Sequence, residues 1–179
     1  ERRRPKEARP RRKALTAPDR VCLVDIQPTV MAGGELPVAD GSAVGGLVNC
    51  LLADRATHAF ATQDWHTPGH QSFASSHPGS KPYETIALPY GSQILWPDHA
   101  LQGSAGAAMH PDLDLAKVDV IIRKGVDPAN YSYSTFFQND LRTHPAPDCR
   151  LPHRGFLRPF PTCPRPELRA PAAAVWRDQ

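Results

Sequence analysis

Long apolar runs are missing from this 179-residue chain. No stretch approaches the roughly 20 consecutive apolar residues that cross a bilayer as a helix. The opening segment also lacks the hydrophobic centre of a secretory signal. The expectation is a cytoplasmic protein with no membrane partner. Cysteine is scarce as well, with four residues at positions 22, 50, 149 and 163 and no CxxC pair. That excludes a dense disulfide framework. Cys22 and Cys50 fall in apolar segments and read as buried free thiols, as a reducing compartment permits. Positive charge is thin in the middle of the chain. Residues 21–140 carry five Lys/Arg against twelve Asp/Glu, a net of −7. Nucleic-acid binding by this part has no electrostatic support.

What the middle lacks, the flanks have in excess. Residues 1–20 hold nine basic groups against three acidic ones, and 141–179 hold seven against three. The overall +3 therefore describes the two ends. The ERRRPKEARPRRK opening reads as a basic Pro/Arg-rich arm, expected to be disordered. Residues 141–179 contain eight prolines in 39 residues and show no helical or strand period. Proline removes backbone donors and interrupts ladders, so this tail is expected to be disordered or non-native. The domain to be folded is 21–140.

Within it, Val21-Cys22-Leu23-Val24-Asp25 is a short apolar run ending on a carboxylate, the form of a buried parallel strand. Ala39 to Ala53 places Val44, Leu47, Val48, Leu51 and Leu52 at helical spacing, with Asp40 and Ser42 as N-cap candidates. Thr57 to Thr62 reads as a second strand. Residues 67–116 read as loop, with a short helix near 104–109. Val118 to Ile122 reads as a third strand, ending at Arg123-Lys124-Gly125. This alternation predicts an α/β domain with a parallel sheet. Ligands gather beyond the carboxyl ends of such strands, where Asp25, Asp64, His66 and Lys124 all fall.

Chemistry concentrates in Gln63-Asp64-Trp65-His66-Thr67-Pro68-Gly69-His70 and in Trp96-Pro97-Asp98-His99. Asp-x-His puts two donors on one side of an extended segment, because side chains alternate. The Pro-Gly turn can fold His70 back toward them. One carboxylate and three imidazoles suit zinc, iron or manganese better than calcium or magnesium. The same spacing also fits surface histidines around a turn, and spacing alone does not separate the two readings. A carboxylate ending a buried run, as Asp25 does, is costly unless paired. Lys124 taken alone is equally a solvated lysine at a strand end.

Four blocks of the chain resemble the nicotinamidases, within the isochorismatase-like hydrolases. VCLVDIQPTVMAGG resembles their opening strand, QDWHTPGHQSFASSH their metal loop, WPDHALQGSAGAAMHPDL the next ligand segment, and VIIRKGVDPANYSYSTFF the strand carrying a catalytic lysine. The blocks stand in family order from Val21 to Asp140. The resemblance implies a three-layer Rossmann-like parallel sheet, incomplete at its C-terminal side, and hydrolysis of nicotinamide to nicotinate and ammonia in NAD salvage. It implies one divalent transition metal, zinc, iron or manganese, held by Asp64, His66 and His99, with His70 as a possible further ligand. Asp25 would be the general base, Lys124 the cation that steadies a thiolate, and Trp96 a wall for the pyridine ring. Assembly as a homo-oligomer is compatible with it.

One departure touches the reaction itself. The nucleophilic cysteine of the family has no clear counterpart. Cys163 lies 39 residues after Lys124, but in Pro161-Thr162-Cys163-Pro164. A proline directly after the cysteine withholds a backbone N–H from an oxyanion hole, so Cys163 is disfavoured. The alternative expectation is a non-catalytic fragment or pseudoenzyme that binds metal and pyridine.

Overall fold

The computed structural model describes residues 19–54, 56–143 and 174–175. The arm at 1–18, most of the tail, and with it Cys149 and Cys163, lie outside the described residues. Three parallel strands form the centre: β1 (Asp19–Leu23), β2 (Ala56–Asp64) and β5 (Val120–Lys124). They lie in the order β5-β2-β1, with a two-residue antiparallel strand β6 (Ala174–Val175) on the outer edge of β1. β6 departs from the expectation of a tail without strands. Its segment follows the last proline of the chain, so its backbone N–H groups are free to pair.

Alternation along the strands sorts two faces. Val21, Leu23, Ala59 and Ala61 join Val48 and Leu52 of helix α1 (Val44–Asp54) in one buried core with Ile26, Val30, Met31 and Leu113. Val48 and Leu52 are one helical turn apart, which makes the stripe that meets the sheet. Leu47 was expected on that stripe and is 67% exposed. It sits about 100° around the helix from Val48, which turns it to solvent. The N-cap expectation also changes. Asp40 adopts a left-handed φ of 58° and makes no capping bond, ahead of a 3-10 turn at Gly41–Ala43. The Ser42 hydroxyl instead accepts from the Ala32 amide at 3.1 Å.

The excursion between β2 and β5 holds a hairpin, β3 (Thr85–Leu88) with β4 (Gly91–Ile94), where loop was expected. No helix forms at 104–109, where the chain runs in turns. Two single bridges tie the excursion down, His66 to Leu101 and Phe73 to Trp96. They bring the Trp96–His99 segment, more than thirty residues downstream, against the end of β2. Among the described residues there is one α-helix, and the sheet is open.

Candidate active site and metal centre

Register builds the site. β2 and β5 run parallel with Thr62 opposite Ile122 and Asp64 opposite Lys124, so these four side chains share one face, away from α1. Asp25 arrives from the end of β1 with a φ of 50°, unusual for a residue other than glycine. Thr62 holds it twice. The Asp25 amide donates to the Thr62 hydroxyl at 3.1 Å, and that hydroxyl donates to Asp25 Oδ1 at 2.7 Å. Lys124 Nζ then bridges the two carboxylates, 2.9 Å from Asp25 Oδ2 and 2.5 Å from Asp64 Oδ1. Lys124 is 3% exposed, so it is no solvated strand end.

Gln27 fixes the far side of Asp64. Its Nε2 donates to the Asp64 carbonyl at 2.9 Å and the Ala107 carbonyl at 2.8 Å, while its Oε1 accepts from the Asp64 amide at 2.7 Å. One fully buried amide thus joins the turn after β1 to the end of β2. Gln27→Ala would strand the Asp64 backbone groups away from water, at a cost of about 2–4 kcal/mol, while the Ala107 carbonyl keeps its Gln63 Nε2 donor at 2.8 Å. Urea unfolding of the variant tests this, and a loss below about 1 kcal/mol would show that other groups replace the clamp. The opposite face at the same level is held by Arg123, whose guanidinium lies 4.1 Å from the Trp65 ring centre while its Nε donates to Gln63.

His66 and His99 complete the cluster. One ligand atom each from Asp64, His66 and His99 lie within 4.8 Å of one another, and all three residues are buried. His99 Nδ1 lies 2.8 Å from the Pro97 carbonyl. A carbonyl accepts only, so the hydrogen is on Nδ1 and the lone pair is on Nε2, which faces Asp64 Oδ2 at 3.9 Å. That is how metal-binding histidines are commonly oriented. His99 Nε2 and both ring nitrogens of His66 are buried with no hydrogen-bond partner among the described residues. Three buried, unpartnered nitrogens beside a carboxylate fit a divalent metal that prefers nitrogen and oxygen donors.

His70 stands apart from this group. Its ring packs edge-on to His66 at 5.1 Å. The Ser72 amide donates to His70 Nδ1 at 3.1 Å. Nδ1 is therefore the acceptor, and the proton sits on Nε2, on the side of the Asp127 backbone. Trp96 is half-buried, with its Nε1 donating to the Tyr133 hydroxyl at 3.3 Å. Tyr83 and Tyr133 meet it edge-on.

Charge follows burial. Burial pushes the Asp25 carboxyl above its ordinary range, with Asp64 adding to the rise and Lys124 and Thr62 opposing it. Burial alone would lower Lys124, but Asp25 and Asp64 outweigh it and hold the ammonium charged. His66 is pushed down to about 2, by burial first and then by His99, Lys124 and His70. From about 2 up to the ordinary 6.5, the unfolded chain therefore binds a proton on His66 that the folded chain does not. The contribution of His66 to stability climbs with pH through that window and levels off above it. Asp25, whose carboxyl is raised, acts in the opposite sense in the same window, so the test is the difference: between about pH 4 and 6.5 the urea midpoint of the metal-free chain should rise with pH relative to that of His66→Asn. An identical slope in the variant would place the acid sensitivity elsewhere.

The cysteines differ from expectation. Cys50 is exposed on α1 and Cys22 is only partly buried. The Cys22 thiol is raised to about 12 by burial, with Asp25 adding to it. Cys22 is therefore held as the thiol. Four residues of the site carried no role in the sequence reading: Gln27, Thr62, Gly125 and Tyr131. Tyr131 is buried and stacks on His66 with ring centres 5.5 Å apart and planes 4° off parallel.

Comparison with known proteins finds nicotinamidases among the similar chains. The chain is 45% identical over 121 residues to a nicotinamidase of Acinetobacter baylyi, covering 68% of the chain and 56% of the relative. It superposes on a nicotinamidase/pyrazinamidase of Acinetobacter baumannii with a TM-score of 0.68 at 43% identity, covering 70% of this chain and 60% of that one. The yeast nicotinamidase bound to the inhibitor nicotinaldehyde gives a TM-score of 0.62 at 26% identity, covering 66% and 62%. No family model matches the chain. The chain spans less than two thirds of the length of these relatives. With the parallel sheet, the Asp25–Lys124–Asp64 bridge and the paired histidines in place, it is a partial nicotinamidase-like chain of isochorismatase-like α/β fold.

Proposed function

We propose that this site serves the hydrolysis of nicotinamide to nicotinate and ammonia, a salvage reaction for pyridine nucleotides. The observation that carries the reading is the buried bridge of Lys124 between Asp25 and Asp64, with His66 and His99 beside it. Asp64, His66 and His99 would hold one divalent ion, zinc, iron or manganese. Such an ion supplies a Lewis-acid contact suited to an aromatic nitrogen. Asp25, raised by burial, would act as the base that takes a thiol proton and later delivers it to departing ammonia. Lys124 would balance the negative charge gathered there. Trp96, braced by Tyr83 and Tyr133, would wall one side of a flat ring. The same reading places the chain in the cytoplasm. No helix among the described residues is long and apolar enough to cross a membrane.

A second reading has its own observation. Among the described residues, Cys22 and Cys50 are the free cysteines; burial holds Cys22 as the thiol, and Cys50 lies exposed on α1. A chain that binds metal and pyridine without attacking the carboxamide is the alternative. The two separate in one experiment. The full chain, loaded with zinc or manganese, is incubated with nicotinamide while ammonia and nicotinate are followed together. Equimolar release of both, lost in Asp25→Asn, is the expected result. Nicotinamide binding without ammonia would establish the second reading instead.

A further inference from the structure

The ring of His66 has no polar tether. It is fully buried, and neither nitrogen has a hydrogen-bond partner among the described residues. His99, by contrast, is aimed by the Pro97 carbonyl. A histidine left to rotate about χ2 presents its nitrogens poorly, so packing must fix the His66 ring. Several neighbours are placed to do so. Tyr131 lies flat on the ring, 4° off parallel at 5.5 Å, while Phe73 at 5.2 Å and His99 at 4.6 Å meet it at steep angles. Gly125 closes the imidazole edge. A Cβ added there would stand 2.6 Å from both His66 Nε2 and Cδ2. Gly125 also has a φ of +72° and directly follows Lys124 at the end of β5.

We infer that Gly125 and Tyr131 are positioning residues that seat His66 for metal binding, Tyr131 fixing the plane of the ring and Gly125 leaving room for its Nε2 edge. The inference rests on the assignment of Asp64, His66 and His99 as ligands. The end of β5 then does two jobs in adjacent residues: Lys124 joins the carboxylates, and Gly125 admits the imidazole. A side chain at 125 meets a ring packed on several sides, not the free end of a flexible group, so the ring has to turn or withdraw.

The experiment is a metal titration of the full chain after chelator treatment, using cobalt for its visible spectrum and zinc in competition. Gly79→Ala is the control for Gly125→Ala. Gly79 has a similar φ of +85° but nothing within 4 Å of an added Cβ, so it carries the backbone strain without the collision. Gly125→Ala should weaken metal binding by about 10–100-fold relative to Gly79→Ala, the range for residues that orient ligands. Tyr131→Leu should weaken it and change the cobalt spectrum, while Tyr131→Phe, which keeps the ring, should leave both near wild type. Thermal melts of the metal-free variants establish that each folds. Affinity and cobalt spectrum of Gly125→Ala equal to those of Gly79→Ala, together with an unchanged Tyr131→Leu, would overturn the inference. Should Gly125→Ala not fold, Tyr131→Leu decides alone, because it adds no backbone strain. A wild-type chain that binds neither metal would instead remove the ligand assignment itself.

Discussion

Lys124→Met is expected to destabilise the metal-free chain by about 3–5 kcal/mol, the cost of breaking a buried ion pair by removing one partner. The reason is geometric. Asp25 and Asp64 are 8% and 6% exposed, and Lys124 Nζ touches a carboxylate oxygen of each. Methionine fills much of the same volume but leaves two acidic groups facing each other out of water. The chain must then keep an uncompensated charge or protonate a carboxyl, and either route costs stability at neutral pH. Adding Asp25→Asn to Lys124→Met removes one of the two charges and should recover part of the loss. A bound divalent ion beside Asp64 supplies positive charge by another route, so zinc should also restore part of it. Urea unfolding of the parent chain and the two variants, with and without zinc, measures each effect. A loss below about 1 kcal/mol for Lys124→Met would mean that water reaches the pair.

His99→Ala should weaken zinc binding by more than about 100-fold while changing the metal-free fold little. Loss of residues that merely orient ligands costs 10–100-fold, and His99 would be a ligand. Among the described residues its side-chain hydrogen bond is local, from Nδ1 to the Pro97 carbonyl two residues away, so its removal costs ring packing on His66 and Phe73 but no hydrogen bond between elements. His77 offers the control. Its Nε2 lies 2.8 Å from the Gln71 carbonyl, it is not part of the Asp64–His66–His99 group, and His77→Ala should leave affinity unchanged. Competition with a chromogenic chelator reads both variants. Equal losses in His77→Ala and His99→Ala would move the metal away from the proposed site.

Much of this was legible in the sequence because it is written in local periods. The apolar runs before Asp25 and before Arg123-Lys124 gave parallel strands, and parallel strands deliver their last residues to one end of a sheet. Asp64 and Lys124 meet because they are in register on adjacent strands, which the run lengths foreshadow. His99 was already among the candidate imidazoles, as a donor of suitable type with no stated route to the others. Nothing in its spacing from His66 announces the bridge to Leu101 that brings its segment in.

The unreadable parts depend on contacts that leave no local trace. Gln27 bonds backbone atoms 37 and 80 residues away, and backbone partners have no sequence signature. Tyr131 meets His66 across 65 positions through ring geometry alone. The β3–β4 hairpin escaped because its strands are four residues each, and the alternation in β3 leaves Ile86 and Leu88 only half-buried, too short a period to stand out. Cys50 looked buried from its apolar neighbours, yet α1 presents only the Val48–Leu52 stripe to the sheet.

The most direct test of the account is calorimetric titration of nicotinamide into the full chain, metal-loaded and metal-stripped. The account predicts saturable binding to the loaded chain, none to the stripped chain, and none to His99→Ala under loading conditions. Nicotinamide binding of equal strength with the metal removed would contradict it, because the ring would then be held without the Asp64–His66–His99 centre.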